Sequence, residues 1–97
     1  MTDQDINTQQ LEQANANPLI PHIYANGFNN ASGPMDVTTA LIRNGVPVAT
    51  VNMSYGAAKS LAYALLSVIE NFETMTGSKI MAYHEIEQAA TKQRTQN

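Results

Sequence analysis

MDVTTALIRNGVPVATVNMS, residues 35–54, decides the fold. Two runs rich in β-branched residues flank Asn44-Gly45. In the first run Met35, Val37, Thr39 and Leu41 share one face, and Asp36, Thr38, Ala40 and Ile42 share the other. Asn and Gly both accept the positive φ of a type I′ turn, so a two-residue hairpin is expected. That turn sets a register: Arg43 faces Val46, Ile42 faces Pro47, Leu41 faces Val48, Ala40 faces Ala49, Thr39 faces Thr50 and Thr38 faces Val51. Pro47 has no N–H to give to a further neighbour, so the strand from Val46 to Met53 is expected at the sheet edge, with the strand before it central.

Working outward toward the N-terminus, Leu19–Phe28 is the first apolar stretch and reads as the first strand, with Asn29–Pro34 as a polar loop. Before it, residues 1–17 hold, after Met1, only two large apolar side chains, Ile6 and Leu11. Burial cannot offset the ordering entropy of such a segment, and a disordered N-terminal tail is expected, with at most a transient helix near residues 8–16.

Working outward toward the C-terminus, the period changes at Ser54, which suits a helix N-cap. Ala58, Leu61, Ala62, Leu65, Ile69 and Phe72 form a stripe at helical spacing, widened by Leu66, Val68 and Met75. Gly77 is the expected left-handed stop, giving about 22 residues and roughly 33 Å of helix. Beyond it, Ile80, Met81, Tyr83 and Ile86 read as a short strand or a segment lying on the sheet. Residues 85–92 have helical propensity, and the chain is expected to fray toward Asn97. The expected fold is α+β: a three-stranded antiparallel meander followed by one long amphipathic helix. The βββα domain covers residues 18–82, and residues 83–97 form a partly ordered C-terminal tail.

The expected register leaves both sheet faces apolar. Val46, Val48, Leu41, Val37 and Phe28 fall on one side, and Ala49, Val51, Met53, Ile42 and Ile23 on the other. One helix shelters one face, so completion by a homodimer or larger oligomer is expected.

Composition narrows the function classes. The net charge is −3, and the five basic residues Arg43, Lys59, Lys79, Lys92 and Arg94 form no cluster, which argues against nucleic acid. There is no cysteine for a disulfide or a thiolate metal site, as befits a cytoplasmic protein. No apolar run spans a bilayer, and the polar start is no signal peptide, so no membrane partner is expected and the two sequons, at Asn30 and Asn52, read as chance. The histidines His22 and His84 lack companion ligands, so neither a metal nor a cofactor is expected. Asp36 has no second carboxylate at a useful spacing, and Ser54 reads as a cap, so no catalytic residue is assigned. Tyr24 and Phe28 suit packing, and Tyr63 lies off the helical stripe.

The order Tyr24-x-Asn26-x-Phe28, Met35-Asp36-Val37, Val48-Ala49-x-Val51-x-Met53-Ser54, Ala58-Lys59-Ser60-Leu61, Leu65, Ile69, Phe72-Glu73 and Gly77 resembles a family of short bacterial proteins known only as a domain of unknown function. The resemblance spans residues 20–77, with Tyr55 where relatives often have proline. It implies no activity and no site residue.

The leading expectation is a non-enzymatic, self-associating interaction module whose partner is itself and, beyond that, another protein; a holdase for unfolded chains is one version. The alternative is a small-ligand binder or weak enzyme with a pocket between subunits, using Tyr24, Asn26 and Asp36. Nucleic-acid binding ranks third.

Overall fold

The computed structural model describes residues 3–96. The elements in chain order are α1 (Asp3–Ala16), β1 (Gly27–Ser32), β2 (Asp36–Arg43), β3 (Val46–Ser54), α2 (Tyr55–Thr76) and α3 (Tyr83–Gln96). Two units divide the chain, one ending at Ser54 and the other starting at Tyr55. The α+β class and the antiparallel meander β1-β2-β3 stand as expected. The single helix does not: among the described residues there are three.

In the first unit, the β2–β3 loop is the two-residue turn, with φ of 51° at Asn44 and 83° at Gly45. Arg43 pairs with Val46 and Ile42 with Pro47. The ladder then departs from the expected register. Leu41 pairs with Ala49 rather than Val48, followed by Ala40 with Thr50, Thr39 with Val51 and Thr38 with Asn52. Val48 is the extra residue of a β-bulge. Pro47 cannot donate to the ladder, and one extra residue lets β3 rejoin it.

This one-residue slip re-sorts the sheet, because directly paired residues share a face. Leu41, Thr39 and Val37 stand with Ala49, Val51 and Met53 on one side and with Phe28, Asn30 and Ser32 on the other strand of the same face. The opposite face carries Thr38, Ala40 and Ile42 beside Thr50, Asn52, Asn29 and Ala31. The expectation of two apolar faces is therefore corrected to one apolar and one mainly polar face. Exposure along β3 follows the same alternation: Ala49, Val51 and Met53 are half-buried, whereas Thr50, Asn52 and Ser54 are exposed. Each face carries one cross-strand polar pair. Thr39 Oγ1 donates to Asn30 Oδ1 at 2.7 Å, and Thr38 Oγ1 donates to Asn52 Oδ1 at 2.6 Å.

The first strand lies later than its apolar residues indicate. β1 starts at Gly27, and Asn29–Ser32, expected as loop, form its body. Each pairs with β2, from Asn29 with Ala40 to Ser32 with Val37. A long central strand offers ladder partners that outweigh the weak β-propensity of Asn and Ser. The β1–β2 turn is closed by the Gly33 N–H donating to the Asp36 carbonyl at 2.8 Å. A Cβ on Gly33 would lie 3.0 Å from Asp36 Oδ1, so the turn has little room for a side chain.

α1 occupies the stretch expected to be disordered, apart from residues 1–2, which lie outside the described residues, as does Asn97. It has no apolar stripe: Ile6 and Leu11, five positions apart, are both exposed. Gln, Glu and Ala propensity supplies its helicity. It ends where Asn17 starts a turn, its side-chain Oδ1 accepting the Leu19 N–H at 3.0 Å and Pro18 following.

In the second unit, α2 has the expected bounds and stops at Gly77, whose φ is 70° and whose N–H donates to the Glu73 carbonyl at 2.9 Å. That is the left-handed stop a Cβ disfavours. The short strand considered for residues 80–86 does not form: residues 80–82 are irregular, and Tyr83 and Ile86 belong to α3.

Candidate interaction surface

Asn26, considered as a ligand-binding side chain, clasps the hairpin. Its Oδ1 accepts the Asn44 N–H at 2.9 Å, its Nδ2 donates to Asn44 Oδ1 at 2.9 Å, and its own N–H donates to the Ile42 carbonyl at 2.9 Å. The first strand is thereby tied to the turn of the next two. Asp36 sits at the other end of β2, paired with Ser54. The eight residues of β2 put about 23 Å between those two ends, at ~3.3 Å per step. Tyr24 precedes β1 and is exposed. The trio considered for a pocket does not converge within one chain.

Nor do the histidines gather ligands. His22 lies in the irregular segment before β1, and His84 is in the first turn of α3. Among the described residues no three His, Cys, Asp or Glu side chains are grouped to hold a metal ion.

Two carboxylates, Glu73 and Glu85, organise the link between α2 and α3. Glu73 Oε2 accepts the Ile80 N–H at 2.7 Å. Glu85 Oε1 accepts the Ala82 N–H at 3.0 Å, and the Glu85 N–H donates to the Ala82 carbonyl at 3.0 Å. The second arrangement is the return half of a capping box, with Ala82 at the cap. Ala82 hides that signature, because alanine is not a capping residue. Glu73 reaches seven residues ahead, across a turn that spacing alone does not reveal. Together they shape a cleft of about 280 Å³ lined by Leu66, Ile69, Glu73, Lys79, Ile80 and Glu85. Both carboxylates already accept backbone N–H groups there, so the cleft is an organised link.

What remains is apolar surface. No described residue is buried, and no apolar core exists among them. On α2 the stripe is open along its length, with Leu65 and Phe72 each 52% exposed, Val68 66% and Met75 84%. On the apolar face of the sheet, Phe28 is 61% exposed. Within the second unit α2 has no packed helix partner. Charge is sparse on α2: Lys59 near its start, Glu70 and Glu73 near its end.

No family model, curated protein or solved structure matches the chain. What remains on each unit is apolar surface: one face of the sheet on the first, and the α2 stripe on the second. No helix among the described residues is long and apolar enough to cross a membrane.

Proposed function

We propose that this chain is a non-enzymatic, self-associating protein-interaction module of the bacterial cytoplasm, and a member of the uncharacterised bacterial family that residues 20–77 resemble. The supporting observation is the absence of any buried side chain among the described residues. Ordering each residue costs about 1–2 kcal/mol of backbone entropy, and apolar burial is the main term that offsets it. A chain whose described residues form about fourteen turns of helix and a three-stranded sheet, with none of them buried, gains that burial on this reading from another molecule.

The absence of cysteine and the acidic balance fit a cytoplasmic setting. Size-exclusion chromatography with light scattering on the full chain tests the reading. A mass of two or more times 10.5 kDa at micromolar concentration is the expected result. A chain of 10.5 kDa that unfolds cooperatively on its own overturns it.

A further inference from the structure

We infer that Asn44 is a self-modification site, at which the Gly45 nitrogen closes on the side-chain amide and converts it to aspartate and isoaspartate. The chain holds two Asn-Gly pairs, Asn26-Gly27 and Asn44-Gly45, and the clasp between Asn26 and Asn44 sets them side by side. In such a pair the attacking group is the glycine nitrogen. A glycine has no Cβ to keep that nitrogen from the asparagine side chain, so its backbone surroundings decide which pair reacts.

The fold treats the two pairs differently. Gly45 is exposed at the hairpin tip, its N–H makes no hydrogen bond among the described residues, and nothing lies within 4 Å of where its Cβ would be. Gly27 is half-buried in β1, opposite Ile42. Hydrogen-bonded pairs alternate along an antiparallel ladder, and the Gly33 N–H donates to the Asp36 carbonyl. Counting back from there, Ala31–Thr38, Asn29–Ala40 and Gly27–Ile42 are the bonded pairs. The Gly27 nitrogen is therefore held by the sheet, and the Gly45 nitrogen is not.

The turn also accommodates the cyclic product. Ring closure fixes the asparagine in the conformation of the first central residue of a type II′ turn, with φ about +60° and ψ about −120°. Asn44 already has φ of 51°. Flipping the peptide between Asn44 and Gly45 turns the type I′ hairpin into type II′, and both types join strands of the same twist. Gly45 tolerates either sign of φ, and its unbonded N–H loses no partner in the flip. Asn26 Nδ2 meanwhile donates to Asn44 Oδ1 at 2.9 Å, on the oxygen where negative charge builds as the amide carbon is attacked.

The step balances with water alone. The Gly45 nitrogen gives its proton to a solvent base and bonds to Asn44 Cγ. The Cγ–Nδ2 bond breaks, and ammonia leaves with a proton from water. Water then opens the five-membered imide at either carbonyl. Opening at one returns the original backbone with aspartate; opening at the other puts an extra carbon into a two-residue turn.

The full chain, incubated at neutral pH and sampled over days, tests this by peptide mass spectrometry. Trypsin cuts after Arg43 and so separates position 26 from position 44. In the folded chain, position 44 is expected to convert at least about tenfold faster than position 26, the rate equivalent of one retained backbone hydrogen bond at Gly27. In urea the two rates should draw together. Equal rates in the folded chain overturn the inference, as does a folded chain in which position 44 is inert while the urea sample reacts. A preference for position 44 that persists unchanged in urea also overturns it, because the fold then has no part. Asn26→Asp keeps the acceptor for the Asn44 N–H and removes the donor to Oδ1, so conversion at position 44 is expected to slow at least about threefold. An unchanged rate in that variant, with a native circular dichroism spectrum, overturns the part given to Asn26. Should the variant unfold, the comparison of the two sites in the unaltered chain decides.

Discussion

At the residue scale, the most consequential side chain is Asn26. Its amide makes two hydrogen bonds to Asn44, one to the backbone N–H and one to the side chain, across 18 positions of sequence. Asn44 holds a positive φ of 51°, and the clasp fixes the turn that φ permits. A typical hydrogen bond contributes about 0.5–1.5 kcal/mol net, so Asn26→Ala is expected to lower stability by about 1–2 kcal/mol. Asn26→Asp separates the two bonds: it keeps the acceptor for the Asn44 N–H and loses the donor to Asn44 Oδ1. Its loss should be no smaller than half that of the alanine variant, because a second acceptor then faces Oδ1. Urea unfolding midpoints of the three proteins at equal concentration measure this. An Asn26→Ala variant with an unchanged midpoint means the clasp contributes nothing.

At the scale of elements, the sequence makes plain whatever depends on local chemistry. Asn44-Gly45 sets its turn through backbone tolerance, and the period-3.6 stripe from Ala58 to Met75 with Gly77 after it marks α2 to the residue. What depends on partners distant in sequence is hidden. The bulge at Val48 follows from Pro47, yet the missing N–H says only that the ladder is disturbed, not that an extra residue restores it. That single residue decides whether Leu41 shares a face with Val48 or with Ala49, and so whether the sheet is apolar on two sides or one. β1 is hidden for a related reason: Asn29, Asn30 and Ser32 have the composition of a loop and become strand by pairing with β2. Within one chain, strand length likewise keeps Asn26 and Asp36 of the considered trio apart.

α1 is the opposite case, a helix with no stripe to bury and no packed partner in its unit. Isolated helices shorter than about 12–15 residues are marginal in water, and α1 has 14. Its amides are therefore expected to exchange with solvent within about tenfold of the unstructured rate, while amides of β2 and the middle of α2 are slowed by orders of magnitude more. Amide exchange followed by mass spectrometry resolves the two classes. Protection of α1 equal to that of α2 means that α1 too is covered in solution.

At the scale of the whole molecule, the proposed self-association makes burial and association one equilibrium. The described residues supply a sheet, a 22-residue helix and no buried side chain, so on that proposal the free energy that holds them folded comes with the surface that covers them. In a protein whose folded form is an obligate oligomer, stability depends on chain concentration by mass action. For a dimer, each tenfold rise in concentration adds about 1.4 kcal/mol per mole of dimer. Unfolding two chains of this length releases an entropy near 0.4 kcal/mol/K at about 2.1 cal/mol/K per residue, which makes the expected rise in Tm roughly 3–4 °C per decade. Thermal unfolding by circular dichroism from about 1 to 100 µM therefore shifts the midpoint by roughly 7 °C, and the Leu65→Asp variant, which sets a carboxylate in the middle of the apolar stripe of α2, abolishes both the shift and the transition. A midpoint independent of concentration over that range shows that one chain folds unaided, and the exposed stripe of α2 then has no part in holding the structure together.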